Sequence, residues 1–178
     1  MKLSIYNSSH LEEVKQLFIN TFSDSEGESE GEIIGNLTYD LMTGADAENF
    51  YGFIAIENEQ IIGSIFFTRL TFQNEANAFL LSPVATRTDF QGKGVGQKLI
   101  NFGIEHLKAN GVSLVITYGD PGFYTKVGFK QITEQIVPPP FKLSQPEGWL
   151  GQSLICDEIK PINGNSSCVE AFNNPELW

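Results

Sequence analysis

The chain has 178 residues, of which 41% are hydrophobic and 19% charged, and its formal net charge is −11. A chain of this length most simply forms one domain around a single core. The acidic balance argues against nucleic acid as a partner, because surfaces that bind the phosphate backbone are basic. The two cysteines, Cys156 and Cys168, have neither metal-ligand nor disulfide-framework spacing, so we predict no metal site. Without a charged-then-apolar leader or an apolar run of about 18 residues, we expect a cytoplasmic protein with no membrane contact.

The first elements are predicted from local pattern. Residues 2–6 alternate polar and apolar side chains, as in a half-buried strand. A helix follows, with Ser8 or Ser9 as its N-cap and Glu12 completing a capping box with Ser9. Its apolar residues recur at helical spacing, and we expect it to end near Phe22.

Residues 23–32 hold five acids and no apolar residue. This composition favours a solvated, mobile loop. Residues 33–41 predict a second helix that ends at a glycine. Two strands, 50–57 and 61–72, are then joined by a short polar turn, which is typical of an antiparallel hairpin. Gly63, inside the second of these strands, marks a bulge or a close backbone approach.

The stretch 79–107 predicts a buried strand, a glycine-rich turn and an amphipathic helix. Pro83 lacks an N–H group, so the strand must be bulged, splayed or at an edge there. The turn Gln91–Gly96 enters the helix, where backbone N–H groups and the helix dipole favour an anion such as phosphate. A tight turn that only needs positive φ is the alternative interpretation.

Two well-known phosphate loops do not fit this turn. A Walker loop needs a hydroxyl residue after Gly-Lys, whereas Gly94 follows Gly92-Lys93. A dinucleotide fingerprint needs a third glycine where Gln97 stands. The pattern Gln/Arg-x-x-Gly-x-Gly/Ala is met by Gln91, Gly94 and Gly96. With it, the stretch resembles the second conserved segment of the GNAT superfamily of acyl-CoA-dependent N-acetyltransferases, here of the bacterial small-molecule type.

A second stretch carries the same resemblance. Residues 114–118 predict a buried strand, and Asp120 followed by Pro121 is a good N-cap and first helical residue. The sequence Tyr-x-Lys-x-Gly-Phe at residues 124–129 resembles the GNAT segment whose tyrosine protonates the departing CoA thiolate. The resemblance therefore implies that Tyr124 is catalytic. A buried aromatic residue with a satisfied hydroxyl is the alternative for Tyr124.

The resemblance implies an α/β (α+β) GNAT fold: a central mixed, mostly antiparallel sheet of six to seven strands, splayed at the cofactor strand and flanked by about four helices. It implies acetyl-CoA as the co-substrate, with the pyrophosphate on the turn and the pantetheine arm on the splayed strand. The implied cofactor-binding residues are Val84, Ala85, Thr86, Gln91, Gly92, Lys93, Gly94, Val95, Gly96 and Tyr124. No motif identifies the general base, for which Glu32, Asp120, Ser82 through a water and a chain of solvent remain open.

The C-terminal part is less regular. Residues 130–137 and 149–159 predict the last strands, and Pro138–Pro140 between them stiffens an extended excursion. In GNAT proteins this connection helps to shape the acceptor pocket, so Phe141, Trp149 and Leu150 are candidate pocket walls, with ordinary core packing as the alternative. We expect residues 1–160 to form the acetyltransferase domain, and residues 161–178 to be an extension docked on it or on a second subunit.

The resemblance implies acetyl transfer to a primary amine by direct attack in a ternary complex. The leading acceptor is a cationic small molecule, which the acidic segment 23–32 would concentrate if it lines the acceptor side of the site. A protein lysine or N-terminus is an alternative acceptor, and a non-catalytic acyl-CoA-binding module is an alternative function. Many members of the superfamily form dimers, so a homodimer also stays open.

Overall fold

The computed structural model describes all 178 residues and contains eight strands and four α-helices. The chain forms two compact units, the first of residues 1–67 and 83–104 and the second of residues 68–82 and 105–178. None of the helices is long and apolar enough to span a membrane.

The first unit contains β1 (Lys2–Ile5) and β2 (Phe50–Glu57), which pair antiparallel. It also contains the start of β3 (Gln60–Phe72) and the end of β4 (Ala78–Thr86), and the strand order here is β1-β2-β3-β4. The turn between β2 and β3 places Asn58 and Glu59 at φ of 50° and 63°. Two successive residues of this kind are typical of the two-residue turns that match the twist of a hairpin. The predicted hairpin is therefore confirmed.

Three helices complete the first unit: α1 (Leu11–Glu26), α2 (Glu28–Gly44) and most of α3 (Val95–Ala109). The predicted N-cap of the first helix is wrong. The side chain of Asn7 accepts a hydrogen bond from the Ser9 N–H at 3.0 Å, and the Asn7 N–H donates to His10 Nδ1 at 3.3 Å. An asparagine side chain readily bonds the backbone two residues on, so a 3₁₀ turn starts at Ser8 and leads into α1.

The acidic segment is helical, which contradicts the predicted loop. Helix α1 continues to Glu26 and α2 begins at Glu28, with only Gly27, at φ of 100°, between them. A Cβ at Gly31 would lie 2.6 Å from the Ile19 carbonyl oxygen, so the two helices pack closely where α2 lacks a side chain. The acids in the first turn of α2 also suit the positive end of the helix dipole. Tertiary packing therefore overrides the local composition.

The second unit contains the rest of β3 and β4 together with β5 (Leu114–Tyr118), β6 (Lys130–Gln131) and β7 (Trp149–Ser153). Its strand order is β3-β4-β5-β7-β6, and the short β8 (Ser166–Ser167) pairs with β3. Strands β4 and β5 are parallel, whereas β7 is antiparallel to both β5 and β6. A short helix, α4 (Pro121–Tyr124), follows β5. The predicted fold class, a mixed and mostly antiparallel sheet with four helices, is confirmed.

The last two predicted strands are too long. Strand β6 ends at Gln131 because the Ile136 and Val137 N–H groups both donate to the Thr133 carbonyl and form a turn. Strand β7 ends at Ser153, where the Ser153 hydroxyl oxygen accepts the Cys156 N–H at 3.3 Å and closes another turn. Local side-chain and backbone bonds thus replace the ladder after each strand.

The C-terminal extension packs within the second unit. The Trp178 side chain is 5% exposed, and its indole N–H donates to the Phe172 carbonyl at 3.0 Å. Its ring stacks on Tyr118 with an interplanar angle of 14° and meets Trp149 edge-on. Phe141 contacts Trp178 as well. Trp149 and Leu150 are fully buried, so these two candidate pocket walls are core residues.

Candidate cofactor and catalytic site

The turn Gln91–Gly96, called the cofactor loop from here on, has a backbone that requires glycine. Gly92 and Gly94 lie at φ of 74° and 79°, and no atom lies within 4 Å of the position that a Cβ would take at either. The requirement is therefore conformational, and the space beside both residues is open. The Lys98 N–H donates to the Gly94 carbonyl at 3.1 Å as α3 begins. The N–H groups that precede Lys98 lack such partners in the helix and favour an anion.

Neighbouring strands hold the cofactor loop in place. The Gln91 amide donates to the Thr86 carbonyl at 3.0 Å, which ties the loop to the end of β4. At Gly63 in β3, a Cβ would lie 3.3 Å from Val95 Cγ1 and 3.4 Å from the Ala85 carbonyl oxygen. The predicted close approach at Gly63 is confirmed, and it lets β3, β4 and the start of α3 meet.

The charges around the cofactor loop are partly neutralised. Arg87 pairs with Asp89 through Nε–Oδ1 at 2.6 Å and Nη2–Oδ2 at 2.9 Å, which raises the pKa of Arg87 and lowers that of Asp89. Its Nη1 donates to Gln60 at 2.9 Å. The Lys93 ammonium lies 4.9 Å from the centre of the Phe90 ring. Of Arg87 and Lys93, Lys93 is therefore better able to bind an anionic ligand.

Val84, Ala85 and Thr86 form the end of β4, in the first unit with the cofactor loop. The parallel pairing of β4 with β5 runs from Ala78–Leu114 to Leu81–Thr117 and stops before Ser82-Pro83. Because proline has no N–H group, the ladder loses a donor at this point. Residues 84–86 therefore follow the end of the parallel pairing.

Tyr124 ends α4 in the second unit. As predicted, Asp120 caps this helix by accepting the Gly122 N–H at 2.8 Å, and Pro121 is the first helical residue. The Tyr124 side chain is partly exposed, whereas its phenolic oxygen is densely surrounded by protein. Burial raises the pKa of Tyr124 to about 12, and the Asp120 charge adds to this while the Thr117 hydroxyl partly offsets it. The phenol is therefore neutral at physiological pH.

Two neighbours of Tyr124 were not identified from the sequence. Thr117 is fully buried, and its hydroxyl donates to the Leu81 carbonyl at 2.9 Å, at the last pair of the β4–β5 ladder. The sequence feature that could have identified Thr117 is its hydroxyl group in the predicted apolar strand 114–118. At Gly119, a Cβ would lie 2.7 Å from Tyr124 Cε2, so a side chain there would displace the ring.

The candidate bases differ in their surroundings. Asp120 is occupied as a helix cap, Glu32 is an exposed residue of α2 in the first unit, and Ser82 is partly exposed beside Pro83 in β4. No group of three or more His, Cys, Asp and Glu side chains is arranged to hold a metal ion.

Residues 47–131 match the family model described as "Acetyltransferase (GNAT) domain". The chain is 29% identical over 141 residues to the uncharacterized N-acetyltransferase YjhQ of Escherichia coli, covering 76% of this chain and 77% of YjhQ. Residues 47–131 therefore match the GNAT acetyltransferase domain family. A curated GNAT relative, the uncharacterized N-acetyltransferase YhbS of Escherichia coli, is 31% identical over 81 residues, 44% of this chain and 48% of YhbS.

Solved GNAT structures share the fold. Escherichia coli YhbS in complex with CoA has a TM-score of 0.79 at 22% identity, with 97% of this chain and 92% of that chain covered. A Brucella melitensis GNAT acetyltransferase in complex with acetyl-CoA has a TM-score of 0.68 at 22% identity and 97% coverage of both chains. These likenesses show that the chain shares the fold of those two proteins.

Proposed function

We propose that this protein moves the acetyl group of acetyl-CoA to a primary amine on a cationic small molecule, by direct attack in a ternary complex. The observation that carries the proposal is the cofactor loop, whose two left-handed glycines leave open space in front of a helix N-terminus. Residues 1–160 are the proposed acetyltransferase domain, with 161–178 as its extension.

The cofactor loop is the proposed pyrophosphate site. Backbone N–H groups of Gln91–Gly96 would donate to the phosphate oxygens. Lys93 would add a positive charge, because the charge of Arg87 is already paired with Asp89. Val84, Ala85 and Thr86 would hold the pantetheine arm through their backbone groups. A backbone N–H near Val84 would stabilise the oxyanion that forms on the thioester.

Tyr124 is the proposed acid, which also contacts the cofactor. As the amine attacks the thioester carbonyl, the C–N bond forms, the C–S bond breaks and a thiolate leaves. The proton lost from the amine nitrogen would pass to a general base or to solvent, and the neutral phenol would donate a hydrogen bond to the thiolate sulfur. A thiol has an ordinary pKa of about 8.5, so a phenol of far higher pKa keeps its proton until the thiolate forms. Phenol and thiolate then share that proton in a charge-assisted hydrogen bond.

A direct attack requires no nucleophilic cysteine. Burial raises the pKa of the Cys168 thiol, which lowers the thiolate fraction. The Cys156 thiol is exposed and donates to the Glu158 carbonyl at 3.0 Å. Single Cys156→Ser and Cys168→Ser variants should therefore keep the parental kcat, and the loss of transfer in either variant would contradict the ternary mechanism.

Thermal unfolding with acetyl-CoA tests the cofactor assignment first. Ligand at 100 times Kd adds about 2.7 kcal/mol, which should raise the Tm of a domain of this size by about 5–10 °C. NAD and ATP serve as controls and should shift the Tm little. A shift with ATP or NAD in place of acetyl-CoA would contradict the interpretation of the loop. Release of CoA across a panel of small amines, compared with lysine peptides, would then identify the acceptor class.

The acidic helix ends support a cationic acceptor. Glu26 ends α1, and Glu28 and Glu30 lie in the first turn of α2; Glu26 and Glu28 are exposed and Glu30 is partly exposed. Such a cluster raises the local concentration of an ammonium ion by electrostatic attraction. Changing these three residues to glutamine should raise KM for the acceptor and leave acetyl-CoA affinity unchanged.

A charge-matched control separates the local effect from net charge. Three exposed acids from other surfaces are changed to glutamine in the control: Glu59, Glu105 and Glu134. This variant has the same net charge as the first but should keep the parental KM. Equal KM values in both triple variants would refute a role for the α1–α2 acids.

A further inference from the structure

A pocket of about 390 Å³ lies in the second unit, where β6, β7 and the turn after β7 meet. It is called the edge pocket here, and its lining contains neither Tyr124 nor any residue of the cofactor loop. It is large enough for a small organic ligand.

Part of the lining of the edge pocket is apolar. Gly151 in β7 forms part of the floor, and a Cβ there would lie 2.6 Å from Ile159 Cδ1 and 3.2 Å from Ile132 Cδ1. Ile136 adds a third branched side chain. Apolar walls of this kind favour the hydrocarbon part of a ligand.

One polar atom in the lining lacks a partner. The side-chain oxygen of Gln152 is buried and accepts no hydrogen bond from the protein. By contrast, the amide of Gln131 in the same lining donates to the Glu147 carbonyl at 2.8 Å. A buried acceptor without a donor is unfavourable, so the edge pocket suits a ligand that brings an N–H or O–H group.

The charges of the lining indicate which kind of donor group the ligand carries. Asp157 and Glu158 both line the edge pocket against one cation, Lys130, and neither carboxylate forms an ion pair with it. The Cys156 thiol already donates to the Glu158 carbonyl. The surplus of negative charge favours a positively charged donor.

We propose that the edge pocket binds a small organic ammonium ion, with its N–H on the Gln152 oxygen and its aliphatic part against the isoleucines. This site is additional to the acetyl-transfer chemistry. Gln152 also touches the segment that carries Tyr124, because a Cβ at Gly128 would lie 2.7 Å from Gln152 Nε2. The next residue, Phe129, donates its N–H to the Tyr124 carbonyl at 3.3 Å. Occupancy of the edge pocket should therefore alter kcat.

The probe is N,N-dimethylisopentylammonium, which has one N–H group and cannot form a stable neutral amide by acetylation. Its readout is alkylation of Cys156 by iodoacetamide in a Cys168→Ser background, because Cys156 is exposed and lines the edge pocket. We expect the probe to slow alkylation in a saturable manner. The trimethyl analogue keeps the charge but has no N–H, so it should bind about tenfold or more weakly.

Gln152→Leu removes the unpartnered oxygen at similar size. It should keep or raise Tm and lose the protection of Cys156, whereas Gln135→Leu, at an exposed position outside the lining, should retain it. Absence of protection, or equal protection by the trimethyl analogue or in Gln152→Leu, would overturn the site. This readout does not use acetyl transfer, so it stands apart from the proposed activity.

The coupling to Tyr124 has its own readout. The probe should change kcat in the parent and leave it unchanged in Gln152→Leu. A competitor at the acceptor site would instead raise KM alone. An effect on kcat that persists in Gln152→Leu, or no effect in the parent, would overturn the coupling.

Discussion

Ionisation of Tyr124 offers a quantitative test of its role. Burial raises the pKa of Tyr124 to about 12. At that value only about 0.1% of the phenol is ionised at pH 9 and about 1% at pH 10, against about 10% and 50% at the ordinary pKa of about 10. The kcat of the parent should therefore show no alkaline decrease due to Tyr124 below about pH 11.

The assay is kcat for CoA formation, measured by chromatography with both substrates saturating, from neutral pH to the onset of unfolding. Tyr124→Phe should lower kcat by about tenfold or more without changing the affinity for acetyl-CoA. The ratio of parent to variant should be constant with pH. A decrease centred between pH 9 and 10 that is present in the parent and absent from Tyr124→Phe would refute this reasoning.

The same shift affects stability in the opposite pH range from a buried carboxylate. Because the folded-state pKa of Tyr124 lies above the unfolded value, its contribution is complete below pH 10 and is lost as pH rises towards 12. The difference between a pKa of about 12 and one of about 10 corresponds to at most about 3 kcal/mol of unfolding free energy. Between pH 10 and 12, the urea midpoint of Tyr124→Phe should therefore decrease less steeply with pH than that of the parent.

Three further substitutions test single contacts. Gly94→Ala places a side chain on a residue with a left-handed backbone, so we expect about 1–2 kcal/mol of destabilisation and weaker acetyl-CoA binding. The control is Gly44→Ala, where φ is not positive and the space is open, and it should leave both stability and binding unchanged. Trp178→Ala should lower the unfolding free energy in urea by about 3–5 kcal/mol, and an unchanged midpoint would mean that the tail does not stabilise the fold. Thr117→Val leaves the Leu81 carbonyl without its donor and should lower Tm by about 2–12 °C, while a parental Tm would show that water replaces the hydroxyl.

Elements with strong local signals were predicted well. Strand β5 has the predicted bounds, and Asp120 and Pro121 start α4 as expected. The signals lie within a few residues of the feature they determine, as with a capping side chain or an alternation of apolar residues. The same holds for the cofactor loop, because a glycine with positive φ is specified by its own backbone.

Elements whose bounds depend on distant partners were predicted poorly. The acidic segment is helical because glycines of α2 pack against α1. Strand β6 ends early because the N–H groups of Ile136 and Val137 donate to the Thr133 carbonyl in a turn. Arg87 lies close to the cofactor loop in sequence, and only the folded chain shows that its charge is already paired with Asp89.

Two motifs with residue types at short, characteristic spacings were enough to reveal the GNAT resemblance from the sequence. That resemblance implied the sheet class, the loop that the cofactor is proposed to use and the tyrosine proposed as its acid. Tertiary structure alone decided the pKa of Tyr124, the docking of Trp178 and the unpartnered oxygen of Gln152. These properties depend on burial and on contacts between residues far apart in the chain, which no local pattern encodes.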